Sequence, residues 1–126
     1  MPTKKEIAIK YLDYLEKGDI EQIIKLFNEQ GIVDSPIYGI KKADAFYREL
    51  SGDTTNSELH LKGIFEETNS NKLALYFNYK WTLKNKQKVE FDVVDIIEFD
   101  ASNMISKLKI IYDTVKSREL IRELEK

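Results

Sequence analysis

Residues 89–99 read VEFDVVDIIEF, and this stretch decides the fold because it repeats with the two-residue period of a β-strand. One face of the strand carries apolar side chains and a single acid, which are Val89, Phe91, Val93, Asp95, Ile97 and Phe99. The other face is rich in acids, which is typical of the outer side of a sheet. The pattern therefore predicts that the Asp95 carboxyl points into the core.

A buried carboxyl needs a physical explanation. If it is ionised and unpaired, its burial costs several kcal/mol, so it must stay protonated or find hydrogen-bond donors. Two interpretations are open. Asp95 either satisfies a neighbouring tyrosine, amide or water within the core, or it lines a pocket and hydrogen-bonds a ligand there.

The composition indicates one domain over residues 1–126, because 126 residues with 42% hydrophobic and 11% aromatic side chains can build a single core. Twenty basic and 22 acidic residues give a net charge of -2, without a block of like charge. This balance argues against nucleic acid and membrane surfaces as partners, and favours a small apolar molecule.

The chain contains no cysteine and one histidine. Disulfides, a thiol nucleophile and cysteine-based zinc sites are therefore excluded, and we expect neither a metal nor a cofactor. The sequence shows no apolar run of membrane-spanning length and no signal-peptide pattern, which predicts a cytoplasmic protein.

The first half of the chain has helical periodicity. A capping box at Thr3 and Glu6 starts the first predicted helix, which ends at Gly18. Asp19 caps a second helix, whose buried side is predicted to extend to Phe27. Together these two helices should form a hairpin.

An extended piece over residues 31–39, broken by Pro36, leads to a third helix that begins at Lys41 and ends near residues 51–52. Alternating strands follow at residues 59–65, 73–83, 89–99 and 104–112, and Ser117 is expected to cap a short terminal helix. Helices followed by strands predict an α+β domain, with a curved antiparallel sheet and helices packed on one face.

Three stretches of the chain resemble the nuclear-transport-factor-2-like superfamily, in its SnoaL-like and ketosteroid-isomerase-like branch. They are YLDYLEKGD at residues 11–19 with Leu26 and Phe27 after it, DSPIYG at residues 34–39, and VDIIEF at residues 94–99 followed by residues 105–113. The resemblance implies a cone-shaped α+β barrel, in which three N-terminal helices pack on the concave side of the sheet around an apolar cavity. It also implies a homodimer through the outer sheet face.

Ketosteroid isomerases hold a developing oxyanion with a tyrosine on the first helix and a protonated aspartate on a central strand, and an aspartate base moves the proton. By resemblance, the tyrosine corresponds to Tyr11 and the protonated aspartate to Asp95. The base departs from the family pattern, because Ser35 stands before Pro36 and the acid, Asp34, comes one residue earlier. Asp34 can act as the base only if the local backbone turns its side chain inward.

Two other mechanisms known in this fold fit the sequence less well. An Asp-Arg-Asp relay, as in limonene-epoxide-hydrolase-like members, needs an inward arginine, and Arg48, Arg118 and Arg122 are not on recognised inward strand faces. Scytalone-dehydratase-like members use histidines, whereas His60 here alternates with apolar neighbours and is expected at the surface.

Aromatic residues supply the remaining ligand-binding candidates. These are Tyr14, Phe27, Tyr38, Phe46, Tyr47, Tyr79, Trp81 and Phe91. For each of them taken alone, ordinary core packing is the favoured explanation. Trp81 could instead lie at a dimer face, and Tyr14 could substitute for Tyr11.

The sequence thus supports two hypotheses. The first is a small-molecule pocket enzyme of the isomerase or lyase kind, with Tyr11 and Asp95 as the oxyanion site and Asp34 as a displaced base. The second is a non-catalytic small-molecule-binding or dimerisation module of the same fold, for which the missing carboxylate before Pro36 is the supporting feature. A protein-interaction role has little support from the balanced charge.

Overall fold

The computed structural model describes residues 2–125 and contains four helices and six strands in that range. In chain order they are α1 (Lys4–Lys17), α2 (Ile20–Lys25), β1 (Phe27–Ser35), β2 (Gly39–Lys42), α3 (Ala43–Gly52), β3 (Thr54–Glu66), β4 (Lys72–Leu83), β5 (Lys88–Phe99), β6 (Ile105–Ile111) and α4 (Val115–Leu124). No helix within residues 2–125 is long and apolar enough to cross a membrane.

The predicted helix boundaries near the N-terminus are confirmed. The Thr3 hydroxyl accepts a hydrogen bond from the Glu6 backbone N–H at 3.1 Å, and Gly18 ends α1 in the left-handed region with φ of 70°. Only a residue without a Cβ adopts that backbone conformation at little cost, which explains the glycine. Asp19 caps α2 through the Gln22 N–H at 3.4 Å.

All six strands belong to one curved, unclosed sheet with the order β2-β1-β6-β5-β4-β3, and the helices pack on one side of it. The neighbouring strands are antiparallel except for β1 and β6, which run parallel. The sequence predicted an antiparallel sheet, and the parallel pair is a finding of the structure.

The strand that the sequence singled out is β5. Its inward side chains from Val93 to Phe99 are buried, whereas the residues between them are half-buried, which confirms the two-residue period. Asp95 lies opposite Leu75 of β4 and Ile110 of β6, in the middle of the sheet.

Two predicted boundaries in the first half of the chain are wrong. Phe27 was placed on the second helix, but it begins β1, because the Leu26 N–H closes α2 and the Leu26 carbonyl accepts the Ile105 N–H at 2.9 Å as the pairing with β6 begins. The third helix begins at Ala43 rather than Lys41, because residues up to Lys42 pair with β1.

The predicted cap of the terminal helix is also wrong. Helix α4 follows Thr114, and the Asp113 carboxylate accepts the Val115 N–H at 3.1 Å. Ser117 therefore lies inside the first turn of α4, where it is buried.

Candidate functional site

A cavity of about 50 Å³ lies between the helices and the inner face of the sheet. Its lining side chains come from α1, β1, the turn after β1, α3, β4, β5, β6 and the segment after β6, and they are Tyr11, Leu15, Ser35, Tyr38, Phe46, Leu50, Phe77, Tyr79, Trp81, Phe91, Val93, Asp95, Ile110 and Tyr112. A cavity of roughly 150 Å³ is needed to hold benzene. A ring-containing ligand therefore requires the side chains at the cavity mouth to move.

Asp95 is the acid in the cavity wall. Its side chain is buried, and Oδ1 has no hydrogen-bond partner among the described residues. Burial raises the pKa of the Asp95 carboxyl well above its ordinary value. Because the charged form gains nothing from a cation or donor in this position, the neutral acid is favoured, and it can donate a hydrogen bond.

Tyr11 reaches the same cavity from α1, where its position follows from the apolar stripe of the helix. Its hydroxyl shares a 2.7 Å hydrogen bond with the hydroxyl of Tyr47. Burial is the main cause that raises the pKa of Tyr11, and the proximity of Tyr47 and Asp95 adds to it. Tyr11 is thus a neutral phenol beside a neutral acid.

Tyr47 lies behind Tyr11 and is completely buried, outside the set of lining residues. Its ring packs edge-on against Phe46 with centroids 4.8 Å apart, and it packs in a tilted arrangement against Phe27 with centroids 5.8 Å apart. Because these rings fix the Tyr47 hydroxyl in place, the shared hydrogen bond fixes the Tyr11 hydroxyl as well.

One side of the cavity wall is aromatic, and two of its rings, Phe91 and Tyr112, are half-buried, so we take the mouth of the cavity to lie beside them. Phe91 stacks on Tyr112 with centroids 4.2 Å apart and on Tyr79 at 5.6 Å, and all three line the cavity. Tyr38 also lines it, and its hydroxyl donates to the Asp53 carboxylate at 2.8 Å. Burial raises the pKa of both Tyr79 and Tyr112 to about 12, so these hydroxyls are neutral at physiological pH.

Two further polar groups in the wall are already bonded to the protein. The Trp81 indole N–H donates to Thr54 Oγ1 at 2.8 Å, and the Tyr79 hydroxyl shares a 2.8 Å hydrogen bond with Ser57. Trp81 is buried, so its side chain belongs to the inner face of the sheet and not to its outer face.

Ser35, and not Asp34, is the β1 side chain in the cavity wall. Val33 and Ser35 are buried on the inner face, and the strand period turns Asp34 to the opposite face, beside Ile40 and Lys109 on the neighbouring strands. The Ser35 hydroxyl accepts the N–H groups of residues 37 and 38 at 3.2 and 3.1 Å, which closes the turn after β1.

The structure brings together seven of the predicted site residues at one cavity: Tyr11, Tyr38, Phe46, Tyr79, Trp81, Phe91 and Asp95. Tyr14, Phe27, Tyr47 and Asp34 lie outside its wall, and His60 is exposed. Tyr112 was missed, although it continues the alternation of Leu108 and Ile110 in the last strand, which was the available signal.

The cavity wall carries little charge. Among residues 2–125, no lysine, arginine or histidine lines it, and no group of acidic and histidine side chains is arranged to hold a metal ion. Arg48 pairs with Glu21 at 3.0 Å and Arg118 donates to the Pro36 carbonyl, so both point elsewhere. The arrangement suits a neutral molecule with one hydrogen-bonding oxygen.

Comparison with solved structures gives many matches. An NTF2-like protein of unknown function from Burkholderia pseudomallei K96243 superposes with a TM-score of 0.82 at 14% identity, covering 96% of this chain and 98% of the other. A candidate SnoaL-like polyketide cyclase from Shewanella putrefaciens CN-32 has a TM-score of 0.74 at 14% identity, over 96% and 98% of the two chains. TerC, co-crystallised with polyporic acid, has a TM-score of 0.78 at 17% identity, over 94% and 98%.

No family model matches the sequence, and no curated protein matches it either. The similarity to the solved structures extends over nearly the whole chain. At 14% to 17% identity it shows the fold alone. Together with the helix order, the strand order and the cavity between helices and sheet, it confirms the predicted architecture: the chain has the NTF2-like fold, which it shares with SnoaL-like proteins.

Proposed function

We propose that the protein binds a small neutral molecule through one oxygen atom, which Asp95 and Tyr11 hold inside the cavity, and that it acts on carbonyl compounds as an isomerase or lyase. One observation carries this proposal. The buried Asp95 carboxyl has an oxygen without a partner, in the wall of the same cavity as the Tyr11 hydroxyl.

The chemistry follows from the protonation states. A neutral carboxylic acid and a phenol both donate hydrogen bonds to a carbonyl oxygen, and these bonds strengthen as the oxygen gains negative charge in an enolate. The α-proton that the substrate loses passes to solvent water or hydroxide, because no second carboxyl among the described residues lines the cavity. Each such donor contributes about 3 to 4 kcal/mol in the transition state. When Tyr47 donates to Tyr11, the Tyr11 proton is left for the ligand, so the hydroxyl pair orients the donor.

The ligand should be uncharged and flat. Within the described residues, no cation in the wall offers a partner to an anionic ligand, and burying an unpaired charge is costly. The stacked rings of Tyr79, Phe91 and Tyr112 favour a planar molecule at the mouth. A structural neighbour that was crystallised with polyporic acid supports the choice of a small organic ligand.

The alternative function is non-catalytic binding of the same kind of molecule. Its support is the position of Asp34 on the opposite face of β1, which leaves Ser35 in the wall where an isomerase would present a base. The two functions share the binding step and differ in turnover.

Exchange of α-hydrogens for deuterium in cyclohex-2-enone and cyclohexanone tests the proposal. We expect exchange above the buffer rate, and we expect Asp95→Ala to abolish it. Asp92→Ala is the matched control, since it removes an exposed acid from the outer face of the same strand. Phenol is a mimic of an enolate, and its binding without deuterium exchange would support the non-catalytic alternative. If the protein neither binds phenol nor catalyses exchange, both functions are refuted.

We also propose that two copies associate through the outer sheet face. Tyr76, Val94 and Ile111 are adjacent across three strands there, and Ile111 is 48% exposed. Light scattering should report a dimer for the wild type and a monomer for Ile111→Asp. A wild-type monomer at micromolar concentration would refute this assembly.

A further inference from the structure

A second pocket, of about 210 Å³, adjoins the cavity. We call it the polar pocket. It is lined by the C-terminal end of α1, the start of α2, Ser51 of α3 and residues 54–57 of β3. Leu15, Leu50 and Tyr79 line both the cavity and the polar pocket, so one layer of side chains separates the two.

The chemistry of the two spaces differs. The cavity is apolar and aromatic apart from a few hydroxyls and Asp95, whereas the polar pocket presents hydroxyl and amide groups, with Ser51 and Asn56 exposed in its wall. Two charged side chains also line this wall, and both are already paired: the Glu16 carboxylate accepts the Leu59 backbone N–H at 2.8 Å, and the Lys17 ammonium donates to the Asp13 carboxylate at 2.9 Å. The polar pocket therefore suits neutral groups that both donate and accept hydrogen bonds, such as the hydroxyls of a polyol or sugar.

A ligand that reaches both spaces requires a side chain of the separating layer to move, and the candidate is Tyr79, whose ring is buried and stacks on Phe91. Its hydroxyl has one hydrogen bond, to Ser57, at the edge strand β3 of the sheet. Rotation of the ring would exchange that single bond for contacts with a ligand, whereas Leu15 is anchored in the buried face of α1.

We propose that the ligand spans both spaces: its ring occupies the cavity with one oxygen at Asp95 and Tyr11, and a neutral, hydroxylated substituent on the opposite side of the ring occupies the polar pocket. This inference rests on the proposed function and specifies its ligand class. The hydroxylated substituent gains hydrogen bonds in the polar pocket that a short apolar substituent does not.

Two phenols form a matched pair of probes. Arbutin carries a free phenol hydroxyl and a glucosyl group in the para position, and 4-methoxyphenol carries a methoxy group in place of the sugar. Trp81 is the single tryptophan and lines the cavity, so its fluorescence, excited at the red edge of the indole band, reports binding of either probe. We expect arbutin to bind about fivefold more tightly, the gain of one net hydrogen bond.

Ser51→Phe places a ring in the polar pocket and should remove the preference for arbutin while retaining binding of 4-methoxyphenol. Ala45→Phe is the control, since it adds the same ring at an exposed position of the same helix. Equal affinity of the wild type for the two probes, or a preference that survives in Ser51→Phe, would overturn this inference and leave the proposed function standing. If neither probe binds, the two fail together.

Discussion

The hydroxyl oxygens of Tyr11 and Tyr47 lie 2.7 Å apart, and both are buried. Only Tyr11 lines the cavity. In the proposed site, Tyr47 would act through Tyr11 as a positioning residue, because its packing against Phe27 and Phe46 fixes the hydroxyl that bonds Tyr11.

This relationship predicts different results for two matched variants. Tyr47→Phe removes one buried hydrogen bond and should lower the free energy of unfolding by about 1 kcal/mol, with partial loss of α-hydrogen exchange. Tyr11→Phe removes the donor itself and should lower the exchange rate by about 10² to 10³-fold. Urea unfolding and deuterium exchange measured together separate the two effects. An equal loss of exchange in both variants would contradict the positioning role.

The buried Asp95 carboxyl predicts a pH dependence of stability. Its pKa in the folded protein is raised above the ordinary value of 3.8, so the folded state keeps a proton that the unfolded chain releases. The contribution of Asp95 to stability is therefore complete below the ordinary pKa and is lost as the pH rises through the folded value. In Asp95→Asn this loss should disappear, so the variant gains stability relative to the wild type from about pH 4 upward.

Asp100 is a control, because its contribution to stability should change with pH in the direction opposite to that of Asp95. Hydrogen bonds from Asn28 and from the Met104 backbone N–H hold the pKa of Asp100 below its ordinary value. Its contribution is present above the ordinary pKa and is lost as the pH falls, so Asp100→Asn should lose stability relative to the wild type as the pH rises. Denaturant titrations at a series of pH values give the free energy of unfolding of each variant and so test both predictions. If stability changes with pH in the same way in Asp95→Asn and in the wild type, the pKa of Asp95 is not raised in the folded protein.

Ser35 predicts a gain of function. Ser35→Asp would place a carboxylate in the cavity wall before Pro36, and an aspartate oxygen can accept the same two N–H groups of the turn. A positioned base contributes about 10² to 10⁴-fold to a proton transfer, so α-hydrogen exchange should rise within that range. Ser35→Asn controls for shape, and Asp34→Ala should leave exchange unchanged. Loss of exchange in Asp34→Ala would show instead that this acid reaches the ligand.

Two aromatic residues of the cavity wall should differ in what their replacement changes. Replacing Phe77 should mainly lower stability, and replacing Phe91 should mainly change the size of ligand that binds. Phe77→Ala empties a fully buried site and should destabilise the protein by about 3 to 5 kcal/mol. Phe91 is half-buried at the mouth, so Phe91→Ala should cost clearly less and should admit larger rings, for example naphthol in place of phenol. Thermal unfolding and Trp81 fluorescence measure the two effects. Unchanged size selectivity in Phe91→Ala would place the entrance elsewhere.

Much of this architecture could be predicted from the sequence, because local periodicity determines which way a side chain faces. The alternation in residues 89–99 was sufficient to turn Asp95 inward, and the helical stripe was sufficient for Tyr11. The same reasoning shows why Asp34 faces away, since it follows buried Val33 directly.

Other features depend on how helices and strands that are distant in the sequence pack together, and local periodicity carries no information about that packing. The hydroxyl contact between Tyr11 and Tyr47 requires α1 and α3 to pack at one particular distance. The small volume of the cavity depends on how rings from five or more elements fit together, and no short stretch of sequence carries that information.

The parallel pairing of β1 with β6 also limits when the sheet can be completed during folding. The strand that starts at Phe27 pairs with a strand that starts at Ile105, and the second of these is synthesised after the other five strands of the sheet. Contacts between such distant segments slow folding. Until β6 is synthesised, a nascent chain would expose the unpaired sides of β1 and β5, and unpaired strand edges of this kind favour aggregation.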